Sequence, residues 1–193
     1  VDPKTHPYIA TGLAESKFGL TRSEALMGYR RAAEHPALTV KGVACHIGSQ
    51  LTDAAPLFEA AHRVRSFVET LESEGIRLST IDLGGGIGIR YRDETPPVIA
   101  TTLVQLRAIF AGRPEHLAVE PGRSLVGPAG LLLTRIEYLK VRDARTFFVV
   151  DAAMNDLMRP ALYEAWHWIE PVVDRPELPQ RTGDVVGPVC ETG

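Results

Sequence analysis

Between residues 21 and 120 the apolar positions follow two rhythms: recurrence every three to four residues, and short, nearly continuous runs. Thr21-Arg22-Ser23-Glu24 has the form of a capping box, with Thr21 capping a helix and Glu24 reaching back. That helix runs to about Ala33 and is stopped by Pro36. Residues 38–47 are mostly apolar with poor alternation, which predicts a strand buried on both faces. Asp53 is placed to cap a second helix, with Pro56 tolerated in its first turn. Leu57, Ala61, Val64, Val68 and Leu71 give this helix one apolar face, and Gly75 is its C-terminal stop. Residues 78–83 predict a second short strand. Pro96-Pro97 opens a third helix, with Ile99, Leu103, Leu106 and Phe110 on one face and Gly112 at its end. Residues 116–119 predict a third strand.

The order strand, helix, strand, helix, strand, with connections of this length, predicts parallel pairing through right-handed crossovers. Each strand ends in an unusual turn: His46-Ile47-Gly48-Ser49-Gln50, Gly84-Gly85-Gly86, and Glu120-Pro121-Gly122-Arg123. Ligand sites of parallel α/β sheets and barrels lie at the carboxyl ends of the strands. Three such turns on one edge form a stronger signal than any one of them. After Gly130 the spacing is too short for crossover helices. Residues 131–141 and 145–150 predict antiparallel strands about a turn at Arg142-Asp143. Residues 151–168 read as irregular or partly helical, 170–183 as a Pro-rich loop, and 184–189 as a last strand. A domain boundary is expected near Gly127–Gly130, dividing the chain into 1–128 and 129–193.

Composition narrows the classes. The chain has 193 residues, 45% hydrophobic and 23% charged, with a formal net charge of −3. Without a basic block, nucleic acid is not an expected partner. No apolar run approaches the ~18 residues of a membrane span, and Val1-Asp2-Pro3-Lys4 does not have the form of a signal peptide. Two cysteines, Cys45 and Cys190, make no disulfide framework, so a reducing, cytoplasmic location is expected. Both ends read as cut.

The turns carry the candidate chemistry. Glu120 and Arg123 share one turn. A carboxylate there is at odds with a plain anion site, and suits a ligand with a positive centre some distance from its phosphate; a surface turn with a salt bridge is the alternative. The Gly84–Gly86 turn offers backbone N–H groups for a phosphate, or is simply a structural turn. It fits neither the dinucleotide fingerprint nor the P-loop. His46 suits stacking on a flat ring or moving a proton, and equally a structural role. Arg159 and Tyr163, four apart, would share a helix face and pin a carboxylate, unless they form a surface pair. Cys190 beside Glu191 reads as proton donor and cation binder, or as an inert thiol. The histidines show no metal-ligand spacing.

Taken together, His46-Ile47-Gly48-Ser49-Gln50, Asp82-Leu83-Gly84-Gly85-Gly86, Glu120-Pro121-Gly122-Arg123, Arg159-Pro160-Ala161-Leu162-Tyr163 and Gly187-Pro188-Val189-Cys190-Glu191-Thr192-Gly193 resemble the diaminopimelate decarboxylase family in order and rough spacing. This family belongs to the alanine-racemase-like, fold type III pyridoxal-phosphate enzymes. The resemblance implies an α/β fold: the C-terminal part of a (β/α)8 TIM barrel that binds pyridoxal 5'-phosphate, followed by the start of an antiparallel β domain. It implies decarboxylation of meso-2,6-diaminopimelate to L-lysine and carbon dioxide, the last step of lysine biosynthesis. His46 would stack on the pyridine ring. Ser49, Gly84, Gly85, Gly86, Gly122 and Arg123 would hold the phosphate, and Glu120 would pair with the protonated ring nitrogen. Arg123, Arg159 and Tyr163 would bind substrate carboxylate, and Glu191 the distal ammonium. Cys190 would protonate the carbanion left when carbon dioxide departs. Cys190 and Glu191 would complete the site of a partner subunit, which implies a homodimer with shared active sites.

One feature of the family is missing. Its Schiff-base lysine lies in an early segment like Tyr-Ala-x-Lys-Ala-Asn, whereas Lys4, Lys17, Lys41 and Lys140 stand in other contexts. The chain therefore reads as an internal fragment, expected to be inactive and poorly stable alone. Related decarboxylases of ornithine, arginine or a carboxylated polyamine, and a non-catalytic cofactor-binding homologue, are the alternatives.

Overall fold

Thr21 opens helix α1 (Arg22–Glu34) with the expected capping box. The Glu24 N–H donates to Thr21 Oγ1 at 3.3 Å, and the Thr21 N–H donates to Glu24 Oε2 at 2.8 Å. The protein is described by a computed structural model over residues 1–2 and 17–190. Two compact units divide it: Val1–Arg90 with Glu94–Ala129, and Tyr91–Asp93 with Gly130–Gly193.

In the first unit, helix α2 (Ala55–Ser73) is built as its periodicity requires. Leu57, Ala61, Val64, Val68 and Leu71 are all buried. The N-cap of this helix is Ala54 and not Asp53; Asp53 Oδ1, one residue earlier, accepts from the Ala55 N–H at 2.9 Å. Gly75, at φ +81°, ends the helix: the Gly75 N–H donates to the Glu72 carbonyl and the Ile76 N–H to the Leu71 carbonyl, each at 2.9 Å. This closes a Schellman motif whose apolar pair, Leu71 and Ile76, joins the core. Helix α1 rests on α2 through an edge-on Tyr29–Phe67 contact and the Arg30–Glu74 fork.

Strands β1 (Gly42–Ala44), β2 (Thr80–Gly85) and β3 (His116–Glu120) form a parallel sheet in that order. Helix α3 (Ile99–Ile109) lies between β2 and β3 in the chain. The expected parallel pairing is thus present, but several predicted bounds are not. β1 is three residues long, not ten, and its Val43 is only half-buried while Ala44 is exposed. Its pairing extends slightly, through the Lys41 carbonyl to Ser79 and Thr80 and from the Cys45 N–H to the Asp82 carbonyl. β2 begins two residues later than predicted and runs on through Gly84 and Gly85, because glycine lets the backbone approach its neighbours. α3 starts at Ile99, since Val98 before it stays extended. On its face Leu106 and Phe110 are buried but Leu103 is not. Thr102 is buried instead, its hydroxyl donating to the Val98 carbonyl at 3.0 Å. The core joins α2, β2 and α3 through Val68, Leu71, Ile81, Leu83, Leu106 and Phe110.

A short helix α4 (Arg123–Val126) follows the Glu120 turn. In the second unit β4 (Ile136–Val141) and β5 (Thr146–Val150) are antiparallel, as expected, and β6 (Asp184–Val186) pairs parallel with β5. Leu131–Leu133 lie outside β4 and are exposed. The segment read as irregular or partly helical contains helix α5 (Arg159–Tyr163).

Candidate active site

Parallel register brings the ends of β1, β2 and β3 to one rim. Gly85 pairs with Glu120 across the sheet, after an irregularity between Asp82 and Gly85. The Gly85 N–H donates to His46 Nδ1 at 3.3 Å. The same Nδ1 lies 4.0 Å from Glu120 Oε2. An imidazole, a glycine turn and a carboxylate, drawn from three strands, therefore meet. Both side chains reach solvent, His46 44% and Glu120 64% exposed, so a ligand can reach them.

The glycines are demanded by backbone packing. A Cβ on Gly84 would collide with the Cys45 carbonyl oxygen, on Gly85 with that of Glu120, and on Gly86 with that of Gly48. Gly84 and Gly86 also adopt φ +67° and +100°. One expectation needs correction here: the turn does not offer a run of uncommitted amides. The Gly84 N–H donates to Asp82 Oδ1 at 2.8 Å and the Gly85 N–H goes to His46. Those two groups hold the turn together instead of awaiting a phosphate.

Ser49 lies half-buried in the turn after β1. Beside it stands Gln50, a residue the sequence reading overlooked. Gln50 takes φ +57°. Its Nε2 donates to the Ile89 carbonyl at 2.6 Å, and its Oε1 accepts from the Ile89 N–H at 3.2 Å and from Arg123 Nη1 at 3.1 Å. One side chain thus ties together the loops after β1, β2 and β3. Nothing in a lone amide two residues past a glycine marks it as such. Gly122, at φ +53°, turns the chain from β3 into α4, and Ser124 Oγ donates to the Pro121 carbonyl at 2.8 Å. Cys45, just past β1, has its thiol pushed up to about 11, by burial first and the Asp82 charge second. It stays a neutral thiol at neutral pH.

The second unit holds the remaining candidates. Pro160 sits in the first turn of α5, where its missing N–H costs nothing. Arg159 and Tyr163 share one face, with the guanidinium carbon 5.4 Å from the Tyr163 ring centroid. Tyr91 lies 4.9 Å from that same carbon. Cation–π contact with two rings restrains the guanidinium. Cys190 is an exposed free thiol. Glu191 lies outside the described residues. Among the described residues no group of His, Cys, Asp and Glu could hold a metal ion, and no helix is long and apolar enough to cross a membrane.

The rim of the first unit suits a flat ring that carries a positive centre. The rim pairs an aromatic ring with a carboxylate, and lies beside a tight glycine turn and an Arg-bearing one. Residues 1–127 match the family described as "Pyridoxal-dependent decarboxylase, pyridoxal binding domain", and the chain belongs to that family. The fold is accordingly the α/β, alanine-racemase-like fold of the pyridoxal-phosphate decarboxylases. Among individual relatives, diaminopimelate decarboxylase of Neisseria meningitidis serogroup A is 52% identical over 193 residues, spanning 100% of this chain and 47% of the relative. That of Pseudomonas aeruginosa is also 52% identical, with 46% of its length matched. The crystal structure of diaminopimelate decarboxylase from Helicobacter pylori complexed with L-lysine superposes with a TM-score of 0.93 at 40% identity, covering 100% of this chain and 48% of that one. The chain spans about half the length of the relatives it matches.

Proposed function

We propose that this chain supplies cofactor- and substrate-holding residues of a pyridoxal-phosphate carboxy-lyase that converts meso-2,6-diaminopimelate to L-lysine and carbon dioxide. The meeting of His46, Gly85 and Glu120 at one rim carries the reading. Relatives of that name about half identical to the whole chain support the substrate.

In this reading His46 lies against the pyridine ring and Glu120 faces its protonated nitrogen. Ser49, Gly86, Gly122 and Arg123 hold the phosphate, with Gly84 and Gly85 shaping the turn. Pyridoxal phosphate, when bound, supplies the electron sink that allows the carboxylate to leave. Arg123 in the first unit, and Arg159 and Tyr163 in the second, are each assigned to substrate carboxylate, Arg159 with its guanidinium plane set by two rings. Glu191 selects the distal ammonium. Cys190 Sγ–H gives a proton to the carbon that loses carbon dioxide. Cys190 and Glu191 serve the site of a second copy in a homodimer, and the protein works in the cytoplasm.

The test is turnover by the complete gene product carrying this sequence, offered meso-diaminopimelate, ornithine and arginine, with carbon dioxide and amine identified. Lysine formation from diaminopimelate alone is expected. E120Q should lower kcat by roughly 10²-fold or more, since it removes a charge fixed where the reaction needs it. Preference for ornithine or arginine would overturn the substrate, and failure to bind pyridoxal phosphate would overturn the class.

A further inference from the structure

We infer that Asp82 is a positioning residue for His46: it sets the glycine turn so that the Gly85 N–H pins the imidazole in its neutral Nε2–H form. Asp82 Oδ1 accepts from the Gly84 N–H at 2.8 Å. This bond braces the turn in which Gly84 adopts φ +67°. The next amide, of Gly85, then donates to His46 Nδ1 at 3.3 Å. A ring nitrogen that accepts a hydrogen bond carries no proton, so the proton of the neutral ring is on Nε2.

Glu120 pulls the other way. Its Oε2, 4.0 Å from the same Nδ1, favours a proton there. The two arrangements exclude each other, because an Nδ1–H would face the Gly85 N–H donor to donor. Geometry favours the amide. It is fixed by the pairing of Gly85 with Glu120 across the sheet, and 4.0 Å is beyond hydrogen-bond range. The Glu120 carboxylate is exposed and can turn elsewhere. Packing reinforces the arrangement, since a Cβ on Gly84 would sit 3.0 Å from His46 Cα and 3.1 Å from its Nδ1.

The consequence rests on the cofactor reading above. An imidazolium at position 46 would repel a protonated pyridine and compete for Glu120. A neutral imidazole avoids the repulsion and leaves Glu120 to the ring nitrogen. Asp82 thus acts on the ligand through Gly84, Gly85 and His46 without touching it.

The experiment is histidine ¹⁵N NMR on the complete gene product near neutral pH, before and after adding pyridoxal phosphate. Wild-type His46 should show a protonated Nε2 and an unprotonated Nδ1 in both states. D82N keeps an oxygen to accept from the Gly84 N–H and should preserve the pattern. D82A should give mixed tautomers and release pyridoxal phosphate about fivefold faster, equivalent to one hydrogen bond. An Nδ1–H form or an imidazolium in the wild type overturns the inference, and that reading needs no variant to fold. An unchanged His46 pattern in folded D82A overturns it as well. If the tautomer pattern holds but pyridoxal phosphate does not bind, the cofactor reading fails while the Asp82 role stands.

Discussion

Glycine at position 85 answers to the neighbouring strand before it answers to any ligand. A Cβ there would run into the carbonyl oxygen of Glu120, its register partner. Gly112 is the useful contrast: it has φ +79°, but nothing lies within 4 Å of a Cβ placed on it. G112A should therefore cost about 1 kcal/mol of backbone strain. Gly85 has no positive φ, so G85A carries no such strain; it must instead push β3 away, an overpacking cost of about 1–3 kcal/mol, and in doing so it shifts Glu120. Urea unfolding of the two variants checks this. Equal midpoints would mean that the turn yields and that the close approach does not constrain it. The same residues show why the site was only partly legible. His46, the glycine turn and Glu120 stood out by residue type and by their place at strand ends. Which amides were already committed did not, because the Gly85 amide is claimed by a side chain 39 residues away. Gln50 was missed for the same reason, since its bonds to Ile89 and Arg123 exist only after three loops converge.

Between elements, the last turn of α2 is fastened to the start of β3 by Arg113. Its guanidinium donates to Glu72 at 2.8 Å and, as a fork, to Glu115 at 3.1 and 2.5 Å. The Glu115 side chain is only 1% exposed. Hydrogen bonding from Arg113 holds its carboxyl below the usual carboxylate value, against the opposing effect of burial. A group whose pKa is depressed by folding stabilises the fold above its unfolded value, near 4.3, and loses that contribution as pH falls through the folded value. Stability should thus drop in acid, below about pH 4.3. E115Q removes the titration: it should lower stability by about 1–3 kcal/mol at pH 7 and flatten the acid limb. Unfolding midpoints between about pH 3 and 7 measure both effects, and parallel wild-type and E115Q curves would sink the assignment. At this scale the helices were legible and the strands less so. The face of α2 repeats over five positions that all prove buried, and its end is encoded locally by Gly75. The extent of a strand depends on its partner. β1 is short because its ladder with β2 reaches no further than Lys41 and Cys45 on either side of Gly42–Ala44, which its own apolar run does not record.

The two units differ in how much they bury, and stability should divide along the same line. In the first, α2, β2 and α3 enclose a continuous cluster that includes the fully covered Val68, Leu71 and Ile81. In the second, among the described residues, Val150 and Thr146 are the only buried positions, and every residue of β4 is exposed. Leu131 is 88% exposed, Val172 80% and Trp168 70%. Hydrophobic burial is the main favourable term in folding, so a unit without it has little to set against chain entropy. In this unit the antiparallel pair β4–β5 was legible, but the start of β4 was not, because the exposed apolar run Leu131–Leu133 reads like the exposed strand that follows it. The 193-residue chain taken alone should therefore show graded protection. Amides of α2 and β2 should exchange slowest, those of β4, β5 and β6 within the fastest class, and the chain should bind a hydrophobic dye such as ANS in native buffer. Slow, uniform exchange through β4–β6 without dye binding would show that the second unit finds cover in solution, for which self-association measured by sedimentation would be the first explanation to test.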